Sequence, residues 1–170
     1  MKHRHIFRGA AIVGLALMIA PVTGIAQQKT LKEQIIGSWA SAFVEHTYPD
    51  GRKVQEFGAN PKGISVFDGN GRFIVIVLHS DLPKLASNDW FKPSPDEAMT
   101  IAKGVIANYG SYTVNEADQS LSLNLEGSYF ANQCFPQKRI VMEINADEMK
   151  LQNPSSIVGG IIEHIVTRIK

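Results

Sequence analysis

The side chains that could do metal chemistry lie far apart in this sequence. Three histidines fall in predicted strands, at His46, His79 and His164. Imidazole is a good zinc ligand, and the strands of a closed sheet can bring distant histidines together. No two of the three are close in sequence, and nothing places them on one face. The spacing therefore favours scattered histidines over a zinc site, and we predict no metal and no other cofactor.

A second candidate set could carry acid–base chemistry. Glu45, His46, Tyr112 and Glu126 all fall in predicted strands. A carboxylate in an apolar interior has a raised pKa and can act as an acid or a base. Glu45 and His46 are adjacent, however, so they cannot both face inward, and half of all strand residues face water. We therefore predict no catalytic residue from this set.

Other catalytic signals are missing from the sequence. It contains no glycine-rich phosphate loop, no His-Glu-x-x-His and no Gly-x-Ser-x-Gly. Cys134 is the only cysteine, so no intrachain disulfide can form, and its surroundings in sequence do not indicate a reactive thiol. Whether the protein is an enzyme stays open at this stage.

The first 26 residues have the composition of a secretory signal peptide. Lys2, Arg4 and Arg8 precede an apolar stretch that begins at Ala10, and small residues follow near Ala26. The apolar stretch is shorter than the roughly 20 residues that span a bilayer. We predict that residues 1–26 are removed, that residues 27–170 form one domain without a membrane segment, and that the protein is periplasmic or secreted.

Charge argues against a nucleic-acid partner. The predicted signal peptide carries three of the 17 Lys+Arg residues and none of the 16 Asp+Glu residues, so residues 27–170 carry 14 basic and 16 acidic side chains. Phosphate binding needs clustered Lys and Arg. Hydrophobic residues make up 44% of the chain, which is enough for a core and argues against disorder.

Two short helices are predicted. Thr30 and Glu33 form a capping box that begins a helical turn. Ser94, Pro95 and the acids that follow begin a second helix, which we place over about 94–109 because apolar residues recur there at helical spacing. Its apolar stripe is expected to dock on the outer face of a strand or at the mouth of a barrel.

The remaining sequence predicts short strands joined by turns. Gly69-Asn70-Gly71 is a hairpin turn, and Leu121, Leu123 and Leu125 alternate with polar residues. There is no βαβ rhythm, so the pattern favours an all-β, antiparallel, up-and-down barrel of about eight or nine strands. The strands are predicted near 39–48, 52–57, 63–68, 72–79, 111–115, 120–128, 138–145, 148–152 and 161–169.

Several stretches resemble the bacterial lipocalin-like domain family, a calycin-type β-barrel. The resemblance covers roughly residues 36 to 169 and departs from the family at Leu123 and Asn124, where histidines are common. Its main stretches are Gly37-Ser38-Trp39, Phe57-Gly58-x-Asn60-Pro61-Lys62-Gly63, Phe67-Asp68-x-x-Gly71-Arg72, Pro83-Lys84-x-Ala86-Ser87-Asn88, Tyr109-Gly110-Ser111-Tyr112-Thr113-Val114, Glu126-Gly127-Ser128-x-Phe130 and Gln137-Lys138-Arg139.

The resemblance implies a structural pair, and the apolar residues of the strands are candidates for an internal ligand site. In lipocalins a tryptophan of the first strand packs beneath an arginine of the last strand, which here implies that Trp39 packs beneath Arg168. Apolar residues sufficient to line a barrel cavity are Phe43, Phe67, Phe73, Val75, Val77, Tyr112, Leu123, Tyr129 and Met142.

Three functions follow as hypotheses. The first is an exported protein that binds a small hydrophobic or amphipathic molecule inside its barrel. The second is a cyclase or isomerase acting on an apolar substrate, which requires an inward-facing polar cluster. The third is an interaction domain, which predicts a filled barrel and an exposed apolar patch. The sequence leaves the ligand and the oligomeric state open.

Overall fold

A computed structural model describes residues 29–133 and 135–170. The predicted signal peptide at residues 1–26 and the single cysteine, Cys134, lie outside the described residues. Cleavage, export and the role of the thiol therefore stay predictions. Within the described residues, no helix has both the length and the apolar character needed to span a membrane.

Nine antiparallel strands form one sheet that closes on itself. The first strand pairs with the third and also with the ninth, so eight strands close a barrel. The second strand has only two residues and pairs with the end of the first. The all-β up-and-down barrel predicted from sequence is confirmed. The strands are β1 (Gly37–Thr47), β2 (Lys53–Val54), β3 (Lys62–Phe67), β4 (Arg72–Leu78), β5 (Val105–Asn115), β6 (Ser120–Ser128), β7 (Gln137–Ile144), β8 (Glu148–Asn153) and β9 (Ile161–Arg168).

Helix α1 (Leu31–Ile35) covers one end of the barrel. It begins with the predicted capping box, in which Thr30 and Glu33 bond reciprocally. Glu116, from the turn between β5 and β6, accepts the next two backbone N–H groups at 2.8 and 3.0 Å. Leu31 and Ile35 are buried against the barrel core, so α1 closes this end.

Helix α2 (Pro95–Lys103) is shorter than predicted. Its start is as predicted, with Ser94 as the N-cap and Glu97 completing a capping box. It stops at Gly104, whose backbone N–H bonds to the carbonyls of Thr100 and Ile101. The predicted extension over 105–109 is wrong, because these residues belong to β5 and complete the ladder with β4. Pairing with a strand edge outweighed helical periodicity there.

The predicted docking of α2 on the outer face of β4 is also wrong. None of its residues is buried, and Met99 remains 55% exposed. Ile74, on the outer face of β4, is 49% exposed, so the helix does not cover that strand. The helix is instead held by a hydrogen bond of 2.8 Å from the backbone N–H of Ala86 to Glu97. α2 therefore leaves the barrel wall uncovered on this side.

The two ends of the barrel differ. At the closed end, tight turns join β3 to β4, β5 to β6 and β7 to β8, and the main apolar core lies beneath α1. At the open end, long connections join β2 to β3, β4 to β5, β6 to β7 and β8 to β9. A smaller apolar cluster of Val44, Phe57 and Val77 lies toward this end.

Three β-bulges reset which residues face inward. One register shift lies between Ser41 and Phe43 in β1, and another lies between Val141 and Glu143 in β7. The third lies in β6, opposite Tyr109 and Gly110 of β5. A bulge puts two residues opposite one, so the alternation of inward and outward side chains changes phase beyond it. In β1, for example, Trp39 and Val44 are both buried although five positions separate them.

Candidate internal binding site

The barrel is not completely filled by its own side chains. An internal cavity of about 110 Å³ lies between the closed-end core and the open end. For comparison, an apolar cavity of about 150 Å³ holds a benzene molecule, whereas sites for drug-sized ligands occupy roughly 300–1,000 Å³. The space accordingly fits a small molecule or one end of a longer one.

Most of the cavity wall is apolar. Five of the nine residues predicted to contact a ligand line it: Phe67, Phe73, Val75, Val77 and Leu123. The other apolar wall residues, which sequence reasoning did not single out, are Val44, Phe57, Ile106, Leu125, Leu151 and Ile162. Contact with a ligand stays a prediction for all of them.

Three of the remaining four predicted residues lie off the wall. Phe43 lies just beyond the bulge in β1 and pairs with Ile165, while its neighbour Val44 faces the cavity. Met142 lies within the bulge in β7 and is 49% exposed. Tyr129 follows the bulge in β6 and is 48% exposed. Strict alternation from Trp39 and from Leu125 would have put Phe43 and Tyr129 inside, so for these two the physical error was a missed change of phase. Met142 directly follows the buried Val141 and is turned outward.

Tyr112 is the fourth residue away from the wall, and it faces inward at the closed end. It is 5% exposed, packs edge-on against Phe67, and donates from its hydroxyl to the Asp68 carbonyl at 2.7 Å. Burial raises the pKa of its hydroxyl, with a smaller contribution from Asp68. Tyr112 therefore belongs to the core that forms the floor below the cavity.

Among the described residues that line the cavity, Arg139 is the one cation. Its guanidinium donates to the side-chain oxygen of Gln137 at 2.6 Å and to the carbonyl of Lys138 at 2.9 Å. Among the described residues, no carboxylate lies within 4.0 Å of it. Burial lowers the pKa of Arg139 to about 10, so it remains charged at neutral pH. The wall thus carries a positive charge without a protein anion to balance it.

Three polar atoms on the same wall have no hydrogen-bond partner in the described part of the protein. They are the Ser65 hydroxyl, the Asn108 Oδ1 and the Gln137 Nε2. The orientation of the Gln137 amide is fixed, because its oxygen accepts from Arg139 and its nitrogen must then be the free donor. Buried polar atoms normally have partners, so this cluster is a departure that calls for a physical reason.

His164 faces the same cavity in a neutral form. Burial, with a further contribution from the charge of Arg139, lowers the pKa of its imidazole to about 4. Its Nε2 lies 3.0 Å from the Ser41 hydroxyl. Arg139 and His164 are both half-buried, because each leaves one side open to the cavity. That side faces the barrel interior, so both side chains are desolvated there.

A separate polar cluster closes part of the open end. His46 is 2% exposed and donates from Nε2 to the Gly159 carbonyl at 2.7 Å. Its Nδ1 lies 2.9 Å from the Glu56 carboxylate, which also accepts from the Tyr48 hydroxyl. That hydrogen bond is the main reason that the pKa of Tyr48 is raised. The cluster joins β1 to two neighbouring connections, and its polar atoms bond to one another.

The structure does not bring the predicted acid–base set together. Glu45 faces outward and pairs with Lys53 at 2.9 Å, and Glu126 forms an outward ion pair with Arg72. His46 belongs to the open-end cluster, and Tyr112 belongs to the core. His79 accepts a hydrogen bond from the backbone N–H of Asp81 in a surface connection. Within the described ranges, no group of three His, Cys, Asp or Glu side chains could hold a metal ion.

The structure places Arg168 over Trp39 at the closed end. The guanidinium carbon lies 3.9 Å from the indole centroid, and Trp39 is fully buried. Arg168 also donates to the carbonyls of Gln34, Ile36 and Ala146 at 2.6, 2.9 and 2.7 Å. All of these contacts lie at the closed end, away from the cavity. The geometry gives the pair a structural part in the fold.

Sequence reasoning missed the polar half of the site. Arg139, Gln137, Asn108 and Ser65 were not selected, because charged and amide side chains in a strand are usually assigned to the solvent face. One signal was available: Gln137-Lys138-Arg139 is among the stretches that resemble the family. Gln137 and Arg139 alternate with Lys138, and the strand partners of both, Leu123 and Leu121, are buried.

Comparison with known families agrees with this architecture. A family model described as a lipocalin-like domain matches residues 36–162, which includes β1 to β8 and the first two residues of β9. No curated protein sequence matches the chain.

Two solved structures are similar over most of the chain. One is a lipocalin-like protein from Bacteroides uniformis ATCC 8492, with 15% identity, a TM-score of 0.44, and coverage of 80% of this chain and 99% of the other. The second is a redesigned β-barrel, with 12% identity, a TM-score of 0.45, and coverage of 84% and 98%. Similarity at this level carries no information about a ligand.

Proposed function

Since the chain belongs to the lipocalin-like domain family, we propose that it binds a small amphipathic molecule inside its barrel. The observation that carries this proposal is the internal cavity of about 110 Å³, whose wall is largely apolar but includes a few inward polar groups. Burial of an apolar ligand surface would supply most of the affinity, and the polar groups would set its orientation.

The cavity also separates this proposal from an interaction domain with a filled barrel. A barrel of eight strands can be filled by its own side chains or can hold one small ligand. Here Phe67 and Phe73 close the floor, while the wall above them leaves space. The polar groups that reach this space are not the acid–base set considered for an enzyme, and binding is the function that they support best.

A matched pair of substitutions on β4 tests the proposal. Val75 faces the cavity, whereas its neighbour Ile74 faces outward and is 49% exposed. In Val75→Phe a benzyl group would fill the space, so binding of small apolar probes should be lost. In Ile74→Phe the added ring would lie on the surface, and binding should be unchanged.

Native mass spectrometry and NMR titration of purified protein would provide the measurements. The first reports any molecule that is carried from the cell, and the second reports added probes such as hexan-1-ol. Equal binding by wild type and Val75→Phe would refute an internal site. Thermal unfolding of both variants would verify that each is folded.

We propose further that the protein is exported. The support is the N-terminal sequence, in which a basic start at Lys2, Arg4 and Arg8 precedes a short apolar stretch and small residues. N-terminal sequencing of the protein from cell fractions would test this. A mature chain that begins near Gln27 in the periplasm or the medium is the expected result, and an intact Met1 in the cytoplasm would contradict it.

A further inference from the structure

We propose that the ligand of this barrel is a small monocarboxylate, whose carboxylate binds the Arg139 guanidinium and the Gln137 amide while its apolar tail occupies the cavity. This inference rests on the proposed binding function and specifies its ligand. The first observation behind it is charge. Arg139 faces the cavity without a carboxylate within 4.0 Å among the described residues.

An unbalanced guanidinium in an apolar interior is costly, because desolvation disfavours its charge. The same desolvation lowers the pKa of Arg139 without removing its proton at neutral pH. A bound anion would restore the balance. In the part of the chain that the structure describes, the cavity wall does not supply one, since its other polar residues are neutral amides, a serine and the neutral His164.

The second observation is the geometry of the donors. A guanidinium has five N–H donors, and the two hydrogen bonds to Gln137 and Lys138 leave others free. The Gln137 Nε2 is buried, is also unpaired, and belongs to the same hydrogen-bonded unit. Two neighbouring donor groups on one side of a cavity suit the two oxygens of a carboxylate, which accepts hydrogen bonds in pairs.

The third observation is the composition of the remaining wall, which is mostly aliphatic and aromatic. A volume of about 110 Å³ leaves little room beyond the head group, so the tail must be short or must extend toward the open end. One cation balances one negative charge. A monocarboxylate of about six carbons in all, such as hexanoate, therefore fits the charge, the donors and the volume, by comparison with a benzene-sized cavity of about 150 Å³.

Three probes of equal length test the inference: hexanoate, hexan-1-ol and hexylamine, each titrated into the folded protein at pH 7.5 and followed by NMR. We expect hexanoate to bind most tightly and to shift the Nε–H resonance of Arg139. Arg139→Met should weaken hexanoate binding by about tenfold to a hundredfold, the range for charge-assisted hydrogen bonds. The same variant should bind hexan-1-ol as the wild type does.

Lys138→Met is the matched control. Lys138 is the neighbouring cation on β7, but it is exposed and pairs with Asp118 at 2.7 Å on the outer face. Its loss should leave hexanoate binding unchanged, which separates a specific contact from a general loss of positive charge. Thermal unfolding of both variants verifies folding.

The outcomes separate this inference from the broader proposal. If hexan-1-ol binds as tightly as hexanoate, or if Arg139→Met keeps the preference for hexanoate, the carboxylate inference is overturned while the internal binding site stands. If none of the three probes binds, the binding function itself is overturned. Preference for hexanoate that is lost in Arg139→Met and retained in Lys138→Met supports the inference.

Discussion

Folding stability should depend on pH through His164. Burial and the charge of Arg139 lower the pKa of its imidazole from 6.5 to about 4 in the folded protein. In the unfolded chain the group regains its ordinary pKa of about 6.5. Above pH 6.5 both states are neutral at this residue, and it contributes no pH dependence. Below pH 6.5 the unfolded state takes up a proton that the folded state does not, so stability falls with falling pH.

The magnitude follows from the shift. Each unit of pKa difference corresponds to about 1.4 kcal/mol. His164 should therefore reduce the free energy of unfolding by about 2 kcal/mol between pH 6.5 and 5, and by about 3 kcal/mol by pH 4. For a domain of this size, about 2 kcal/mol corresponds to a lowering of Tm by roughly 4–8 °C.

His164→Gln isolates this contribution. Glutamine does not titrate, and its amide can still bond to the Ser41 hydroxyl that lies 3.0 Å from His164. Urea unfolding of wild type and variant at pH 7, 6, 5 and 4 gives two stability profiles. The difference between the two profiles cancels the contribution of every other titrating group. The wild type should lose about 2 kcal/mol more than the variant between pH 7 and 5. Parallel profiles over that range would refute the assignment of a buried, neutral His164.

Three further substitutions should change stability in defined directions. Arg139→Met should stabilise the free protein by about 1–2 kcal/mol, because it removes a desolvated charge; any loss of stability in urea unfolding would contradict this. Arg168→Met should cost about 3 kcal/mol, since three hydrogen bonds to carbonyls and the contact over Trp39 are lost. Arg72→Met removes an ion pair on the exposed outer surface and should cost clearly less; equal costs in thermal unfolding would be inconsistent with the geometry. Gly110→Ala should cost about 2 kcal/mol or more, because its Cβ would lie 2.0 Å from the Asn124 carbonyl oxygen. Gly69→Ala should be nearly neutral by the same measurement, because its Cβ would meet only Ile36 at 3.9 Å.

The sequence predicted the barrel well because its signals are local and agree with one another. The turn at Gly69-Asn70-Gly71, the alternating leucines of β6 and the capping boxes at Thr30 and Ser94 each require only a few neighbouring residues. The end of α2 was the exception. Helical spacing continued past Gly104, but the free edge of β4 required a partner, and residues 105–115 supply it.

The cavity wall was harder to predict because it depends on strand phase. A bulge such as the one between Ser41 and Phe43 needs no special residue, so alternation alone misplaces Phe43 and Tyr129. The polar residues of the cavity wall were not predicted, for a different reason. Arg139 sits inside at a cost in desolvation, and rules that assign charges to the surface describe the common case. Only the pairing of β7 with the buried face of β6 shows that Arg139 points inward.

The pairing of β1 with β9 has a consequence for when this protein can fold. Trp39 lies near the start of the barrel, and the side chain that covers it, Arg168, lies near the end of the chain. Contacts between such distant residues are slow to form, because a long loop must first close at a cost in chain entropy. A growing chain therefore keeps β1 without one of its neighbours until β9 has been synthesised. Closure is a late event by topology, and until it occurs β1 and β8 each present an unpaired edge on which other strands can add.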